Sequence, residues 1–268
     1  MTKTSLIILL IASLFINIFA ADMIIEKTDG STITIAIDEI NQITFGEDAI
    51  PDPPERVLFI GNSYTYYNGG LNVHVQEMVN SAHPDWDFVA ENITAGGATL
   101  EMHYNNQSTL NSITSGNWDM VILQEQSTRP VEEPEMMYQY ATLLDEVITG
   151  AGAETGFFMT WARAYDPPMI EPLALAYNTI GDQLDALVTP VGRAFQLALE
   201  TDHNLELHVG DGSHPNQEGT YLAACTFYAF LFNESPVGIV YNSSDEITED
   251  EKAYLQGIAW QTYQQYGN

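Results

Sequence analysis

The sequence predicts an α/β protein: a three-layer α/β/α sandwich around a mostly parallel, five-stranded sheet, preceded by a small N-terminal β-rich appendage. Three observations carry this reading. Short unbroken apolar runs recur along the chain (Val57–Ile60, Met120–Leu123), as strands buried on both faces require. Stretches with apolar residues at helical spacing lie between them. Glycines or polar groups follow the runs directly, where a parallel strand ends and the chain turns back.

The elements follow in order. Residues 1–20 hold Lys3, then an almost unbroken apolar run from Ser5 to Phe19, then the small pair Ala20-Ala21. This is the pattern of a secretory signal peptide, and it predicts a secreted or periplasmic protein with no stable membrane insertion after its removal. An uncleaved anchor is the alternative, although the run is short for a span. No cysteine follows it, which argues against a lipid anchor. Residues 21–47 are rich in β-branched side chains, with Asp29-Gly30 as a hairpin turn signal. Residues 48–54 are acidic and proline-rich and read as a linker, which starts the main domain, 55–268, near Glu55.

In that domain Val57–Ile60 is the first strand, Leu71–Ala82 a helix and Phe88–Ile93 the second strand. Met120–Leu123 is the third strand, Met137–Ile148 a helix and Gly156–Met159 the fourth strand. Ile170–Leu187 is helical, Val188–Ala194 is the fifth strand, and Glu218–Phe232 and Glu249–Tyr266 are helices. Right-handed crossovers then make a doubly wound sandwich the economical topology.

Composition excludes several functions. With 37 Asp plus Glu against 7 Lys plus Arg, a net charge of −30, the chain offers no basic footprint for nucleic acid or anionic membranes. Its one cysteine, Cys225, excludes an internal disulfide and a cysteine-based zinc site.

Open parallel sheets bind ligands at the carboxyl ends of their strands. After the first strand comes Gly61-Asn62-Ser63, after the second Gly96-Gly97, after the third Gln124-Glu125-Gln126-Ser127, and near the C-terminus Asp211-Gly212-Ser213-His214 before a helix. Singly these are ordinary: Ser63 is equally a helix cap, Gly96-Gly97 a turn, His214 a loop residue. Together they supply a hydroxyl, an imidazole with a carboxylate three residues upstream, and oxyanion donors, the requirements for acyl transfer. His208, Asp211 and His214 also allow a metal-site reading. His103 follows the glycine block and is a candidate for lining the cleft. Trp161 and Arg163 follow the fourth strand and are candidates for contacting substrate. The Tyr64, Tyr66 and Tyr67 cluster suits either stacking on a sugar or packing in the fold.

The ordered set resembles the SGNH (GDSL-like) hydrolase superfamily over roughly residues 55–235. Gly61-Asn62-Ser63 stands for its first block, Gly96-Gly97 for its glycine block and Asp211-Gly212-Ser213-His214 for its last. The wording FIGNSYTYYN, GGATLEMH, WDMVILQEQS and DGSHPNQEGTYLAA is similar to a Bacteroidetes-type branch that resembles carbohydrate esterases. The resemblance implies a flavodoxin-like fold and a catalytic Ser63–His214–Asp211 triad. It implies an oxyanion hole from the Ser63 backbone, Gly97 and a third donor, and no cofactor or metal. The family's Gly-x-Asn-Asp block is missing after the third strand; Gln124, at the strand's end, is the first choice for the third donor and Gln126 the alternate. The implied activity is hydrolysis of small acyl esters, acetyl foremost, on a small molecule or a glycan. A lipase or thioesterase of the same fold and a non-catalytic glycan-binding protein are the competing readings.

Overall fold

The computed structural model describes residues 22–26, 31–36, 53–202, 204–241, 244 and 246–267. The predicted signal peptide, the Asp29-Gly30 turn, most of the predicted linker and His203 lie outside the described residues. The chain divides into two compact units, Met1–Asp52 and Pro53–Asn268. In the first, β1 (Asp22–Glu26) pairs antiparallel with β2 (Thr32–Ala36), Asp22 opposite Ala36.

The second unit alternates strands and helices. Its strands are β3 (Arg56–Gly61), β4 (Val89–Thr94), β5 (Met120–Leu123), β6 (Glu154–Phe158) and β7 (Leu187–Thr189). Its helices are α1 (Ser63–Tyr66), α2 (Leu71–Ala82), α3 (Leu100–Tyr104), α4 (Gln107–Ser115), α5 (Arg129–Glu132) and α6 (Pro134–Gly150), followed by α7 (Ile170–Leu184), α8 (Val191–Thr201), α9 (Gln217–Phe232) and α10 (Glu249–Tyr266). The sheet is parallel throughout, in the order β4-β3-β5-β6-β7. Counted within the sheet this is 2-1-3-4-5, the doubly wound order whose switch point lies between its first and third strands. Those strands are β3 and β5, so the order alone places a ligand crevice at the carboxyl end of β3.

The strand side chains alternate between two cores. Val57 and Phe59 of β3 and Ile122 of β5 pack with α2, α8, α9 and α10. Leu58 and Ile60 of β3 and Val121 and Leu123 of β5 pack with α3, α4, α6 and α7. Both faces are buried, which is why these strands read as continuous apolar runs. Helix α9 is buried nearly all round, as an apolar helix between a sheet and another helix must be. Among the described residues no helix is long and apolar enough to cross a membrane.

One predicted element moves. The fifth strand is not Val188–Ala194 but Leu187–Thr189, and Val191–Thr201 is helical. Pro190, with no N–H to continue the ladder, separates the two. The side chain at position 192 faces the end of β6 so closely that a Cβ there would lie 2.1 Å from the Thr160 carbonyl oxygen, and glycine fits.

Candidate active site

The turn that ends β3 is built for close packing. A Cβ on Gly61 would stand 2.5 Å from Gln124 Oε1 and 2.6 Å from Thr65 Oγ1, so only glycine lets the chain pass. Asn62 then caps α1: its Oδ1 accepts from Tyr64 N–H at 3.2 Å. Its Nδ2 donates to the Ala98 carbonyl at 3.0 Å, tying the turn to the segment after β4. Ser63, the first helical residue, is left half-exposed at the edge of the sheet.

His214 reaches Ser63 from a loop 151 residues away, its Nε2 lying 2.8 Å from Ser63 Oγ. Its Nδ1 lies 2.6 Å from Asp211 Oδ2. The other oxygen of Asp211 accepts from the N–H groups of Ser213 (2.8 Å) and His214 (2.9 Å), which fixes the carboxylate beside the ring. Burial opposes the charge on Asp211, but the bonds from the His214 ring and these two N–H groups outweigh it and hold the carboxyl down at about 2. The carboxylate therefore accepts from Nδ1–H, and Nε2 is left to accept from the Ser63 hydroxyl.

The imidazole is also held by its faces. The ring of Tyr67 stacks on it at 4.8 Å, and the ring of Tyr64 meets it edge-on at 5.6 Å. The next residue, Asn68, has φ 53°, a left-handed backbone that asparagine tolerates. Its Nδ2 donates to the carbonyls of Pro215 (3.1 Å) and Asn216 (2.8 Å) and to Thr220 Oγ1 (2.8 Å). His74 Nε2 donates to the Asn68 carbonyl at 2.8 Å from below. The segment after the serine thus clamps the loop that carries the histidine.

The glycine block follows β4, next to Ala98, which Asn62 ties to the serine turn. Gly97 has φ +67°, and a Cβ there would meet nothing within 4 Å, so the position is open and its need for glycine is conformational. Among the described residues the N–H groups of Ser63 and Gly97 take no protein acceptor. Below them Glu125, fully buried, joins the two sides: its Oε1 accepts from Leu100 N–H at 3.1 Å and from Gln126 N–H at 2.6 Å. Its Oε2 has no partner, and burial raises its pKa to about 7.

No protein-family model matches the sequence, and no curated protein matches it. Solved structures do. A protein from Slackia heliotrinireducens assigned to the SGNH hydrolases matches with 26% identity over 63% of this chain and 94% of its own, at a TM-score of 0.55. The chain is related to the SGNH hydrolases. The same fold is shared by a DUF4886 family protein from Bacteroides uniformis, with 19% identity, 79% and 95% coverage and a TM-score of 0.61. It is also shared by an acetyl xylan esterase from Geobacillus stearothermophilus, with 17% identity, 67% and 95% coverage and a TM-score of 0.53.

Against the block pattern of the SGNH hydrolases, the structure rearranges several expectations. Gln124 does not serve as an open donor. It is buried, its Oε1 accepts from Asn62 N–H (2.9 Å) and Thr65 Oγ1 (3.0 Å), and its Nε2 donates to the Glu125 carbonyl. Its amide locks the first block to β5. Gln126 is half-exposed, and its Oε1 is fixed by the N–H groups of Thr128 (2.9 Å) and Arg129 (3.0 Å). That leaves Nε2, with one long contact of 3.4 Å to Ser127 Oγ, as the open end.

Three of the side chains expected near substrate are buried. Trp161 is stacked between Tyr64 and Phe195, and its Nε1 donates to the Ser213 carbonyl. Tyr64 points its hydroxyl at Ser213 Oγ, 2.9 Å away. His103 donates from Nε2 to the Gly61 carbonyl at 2.8 Å. All three are at most 4% exposed, because the aromatic and imidazole surfaces fill the space beneath the site. Nor do His208, Asp211 and His214 converge: His208 Nε2 donates to the Ala162 carbonyl, and among the described residues no three such groups come together. Tyr66 is exposed and Tyr67 half-exposed beside the triad. Asn68 carries contacts that the sequence did not single out, its place after the tyrosine cluster being the available signal; Tyr67 of that cluster packs on His214, and Glu125, expected to face solvent, turns inward and is fully buried.

Proposed function

We propose that the chain is a carboxylic ester hydrolase working through Ser63, His214 and Asp211 on small acyl esters, acetyl foremost, carried by carbohydrate. The observation that carries this reading is the continuous line of hydrogen bonds from Ser63 Oγ through the His214 ring to Asp211.

A serine hydroxyl is a poor nucleophile at neutral pH without a base. In the proposed cycle His214 Nε2 takes the Ser63 proton as Oγ bonds to the ester carbonyl carbon. Asp211 stabilises the imidazolium and keeps Nδ1 protonated throughout. The negative charge on the former carbonyl oxygen is met by the N–H groups of Ser63 and Gly97 and by Gln126 Nε2. Each such donor is worth about 3–4 kcal/mol in the transition state. Collapse expels the alcohol, which takes the proton from His214, and leaves an acyl-serine. A water then loses its proton to His214 and attacks the acyl carbon; collapse breaks the bond to Ser63 Oγ, which takes the proton back from His214, and the acid is released. No step calls on a cofactor.

The acetyl and carbohydrate parts are supported by the likeness of fold to an acetyl xylan esterase and by a leader sequence suited to export. The test is hydrolysis of p-nitrophenyl acetate by the chain without residues 1–20, beside Ser63→Ala and with EDTA added. Turnover that persists with EDTA and is lost in the variant supports the reading. Turnover retained by Ser63→Ala contradicts it.

A further inference from the structure

We propose that Arg163 forms a carboxylate-binding subsite beside the triad, and that the ester substrate is an acidic one, such as an ester of a carboxylate-bearing sugar. This deepens the esterase reading and rests on it.

Cations are scarce in this chain, 7 Lys plus Arg against 37 Asp plus Glu, and most of those described are paired. Arg129 pairs with Glu101 and Glu133, Arg193 with Glu171, and Lys252 with Glu249. Arg56, at the amino end of β3, lies 5.0 Å over the Trp118 ring. Arg163 differs from all of these. It stands at the carboxyl side of the sheet, beyond β6, and makes no ion pair among the described residues. Its terminal nitrogens donate to two neutral hydroxyls instead, Tyr64 at 2.8 Å and Ser127 at 2.7 Å. Hydroxyls orient a guanidinium without cancelling its charge. A half-buried cation without a counter-charge is costly, and an arriving anion removes that cost.

Its position matches the reaction. Tyr64 follows Ser63 directly and is edge-on to His214, so one aromatic ring separates the guanidinium from the imidazole. Ala164 N–H donates to the Gly212 carbonyl at 2.9 Å, which ties this segment to the loop of Asp211 and His214. Arg163 also lines a cavity of about 420 Å³, with Pro168, Phe195 and Leu199 as apolar wall and His208 as a second nitrogen group. Glu171 and Glu200 line the same cavity, but Glu171 is engaged by Arg193 through both oxygens and Glu200 accepts from Gln196. A guanidinium has five N–H groups in a planar fork, and Arg163 uses two; the remainder suit a carboxylate.

The test is binding, read apart from catalysis. The full chain carrying Ser63→Ala is titrated with D-glucuronate and with D-glucose, which differ by the carboxylate, and chemical shifts are followed by NMR. The proposal expects glucuronate to bind at least about tenfold more tightly than glucose. Adding Arg163→Met should abolish that preference, and adding Arg163→Lys should keep part of it, which separates lost charge from lost fold. Equal binding of the two sugars, or a preference that survives Arg163→Met, overturns the subsite. Neither outcome touches the esterase reading, which depends on Ser63-dependent hydrolysis of p-nitrophenyl acetate.

Discussion

The ring of Tyr67 lies on the imidazole of His214, with centroids 4.8 Å apart and planes within 23° of parallel. The following residue, Asn68, holds the carbonyls just beyond that histidine. Two adjacent residues after the serine thus set both the tilt and the place of the base. An aromatic face also favours the imidazolium that forms during proton transfer, by about 0.5–2 kcal/mol. Tyr67→Leu is expected to lower kcat by up to about tenfold with KM little changed, and Tyr67→Phe, which keeps the ring on the imidazole, to retain most of the rate. Steady-state kinetics on the three proteins check it. A change in KM alone would show that Tyr67 acts on substrate instead.

The proposed mechanism gives the two glutamines after β5 opposite roles. Gln126→Ala removes a donor to the transition state and is expected to lower kcat by about 10²-fold with the melting temperature retained. Gln124→Ala leaves Asn62 N–H and Thr65 Oγ1 without their buried acceptor and is expected to destabilise the fold by about 1–3 kcal/mol. Kinetics paired with thermal melts of both variants separate the two. The reverse pattern would return the oxyanion role to Gln124.

Glu125 makes stability depend on pH. Its pKa is raised to about 7 in the fold by burial, against an ordinary value of 4.5. The unfolded chain therefore loses this proton first, and the folded state becomes progressively disfavoured between about pH 4.5 and 7, by roughly 3 kcal/mol in all. Glu125→Gln lacks that titration. Its stability relative to the parent should rise from pH 4.5 to 7 and level off above. Denaturant midpoints at pH 5 and pH 8 test this; a constant difference would mean that Glu125 keeps its charge in the fold.

Asp211 works in the other direction. Its folded pKa is lowered to about 2, so its contribution to stability is present above the ordinary value of 3.8 and is lost as pH falls through 2. At neutral pH its role is the tautomer of His214. Asp211→Asn is expected to keep the fold and lower kcat by about 10³–10⁴-fold. A loss below about tenfold would leave His214 oriented by its ring contacts alone.

The parts of this site that were legible in sequence are those fixed by local chemistry or by topology. Asp211 and His214 are three residues apart on one loop, and Ser63 follows a buried strand at the switch point of the sheet. What was not legible depends on residues far away in the chain. The direction of the Gln124 amide is set by Asn62 and Thr65 across the β3 turn. Asn68 has partners 147 to 152 residues distant. Trp161 and His103 sit just after a strand and a glycine block, as cleft residues do, yet rings stacked on either side or a backbone carbonyl draw them inward. The fifth strand ends at Thr189 and not at Ala194 because β-branched residues, Val188 and Thr189 before Pro190 and Val191 after it, read as one strand, and the proline alone marks the change to helix.

The central claim is that Ser63 is the nucleophile. The direct measurement is the intact mass of the protein after exposure to a fluorophosphonate, followed by peptide mapping. The account predicts one adduct, on Ser63, that forms at least about tenfold more slowly in His214→Ala because the base is gone. An active enzyme that takes no adduct, or takes it on another residue, would contradict it.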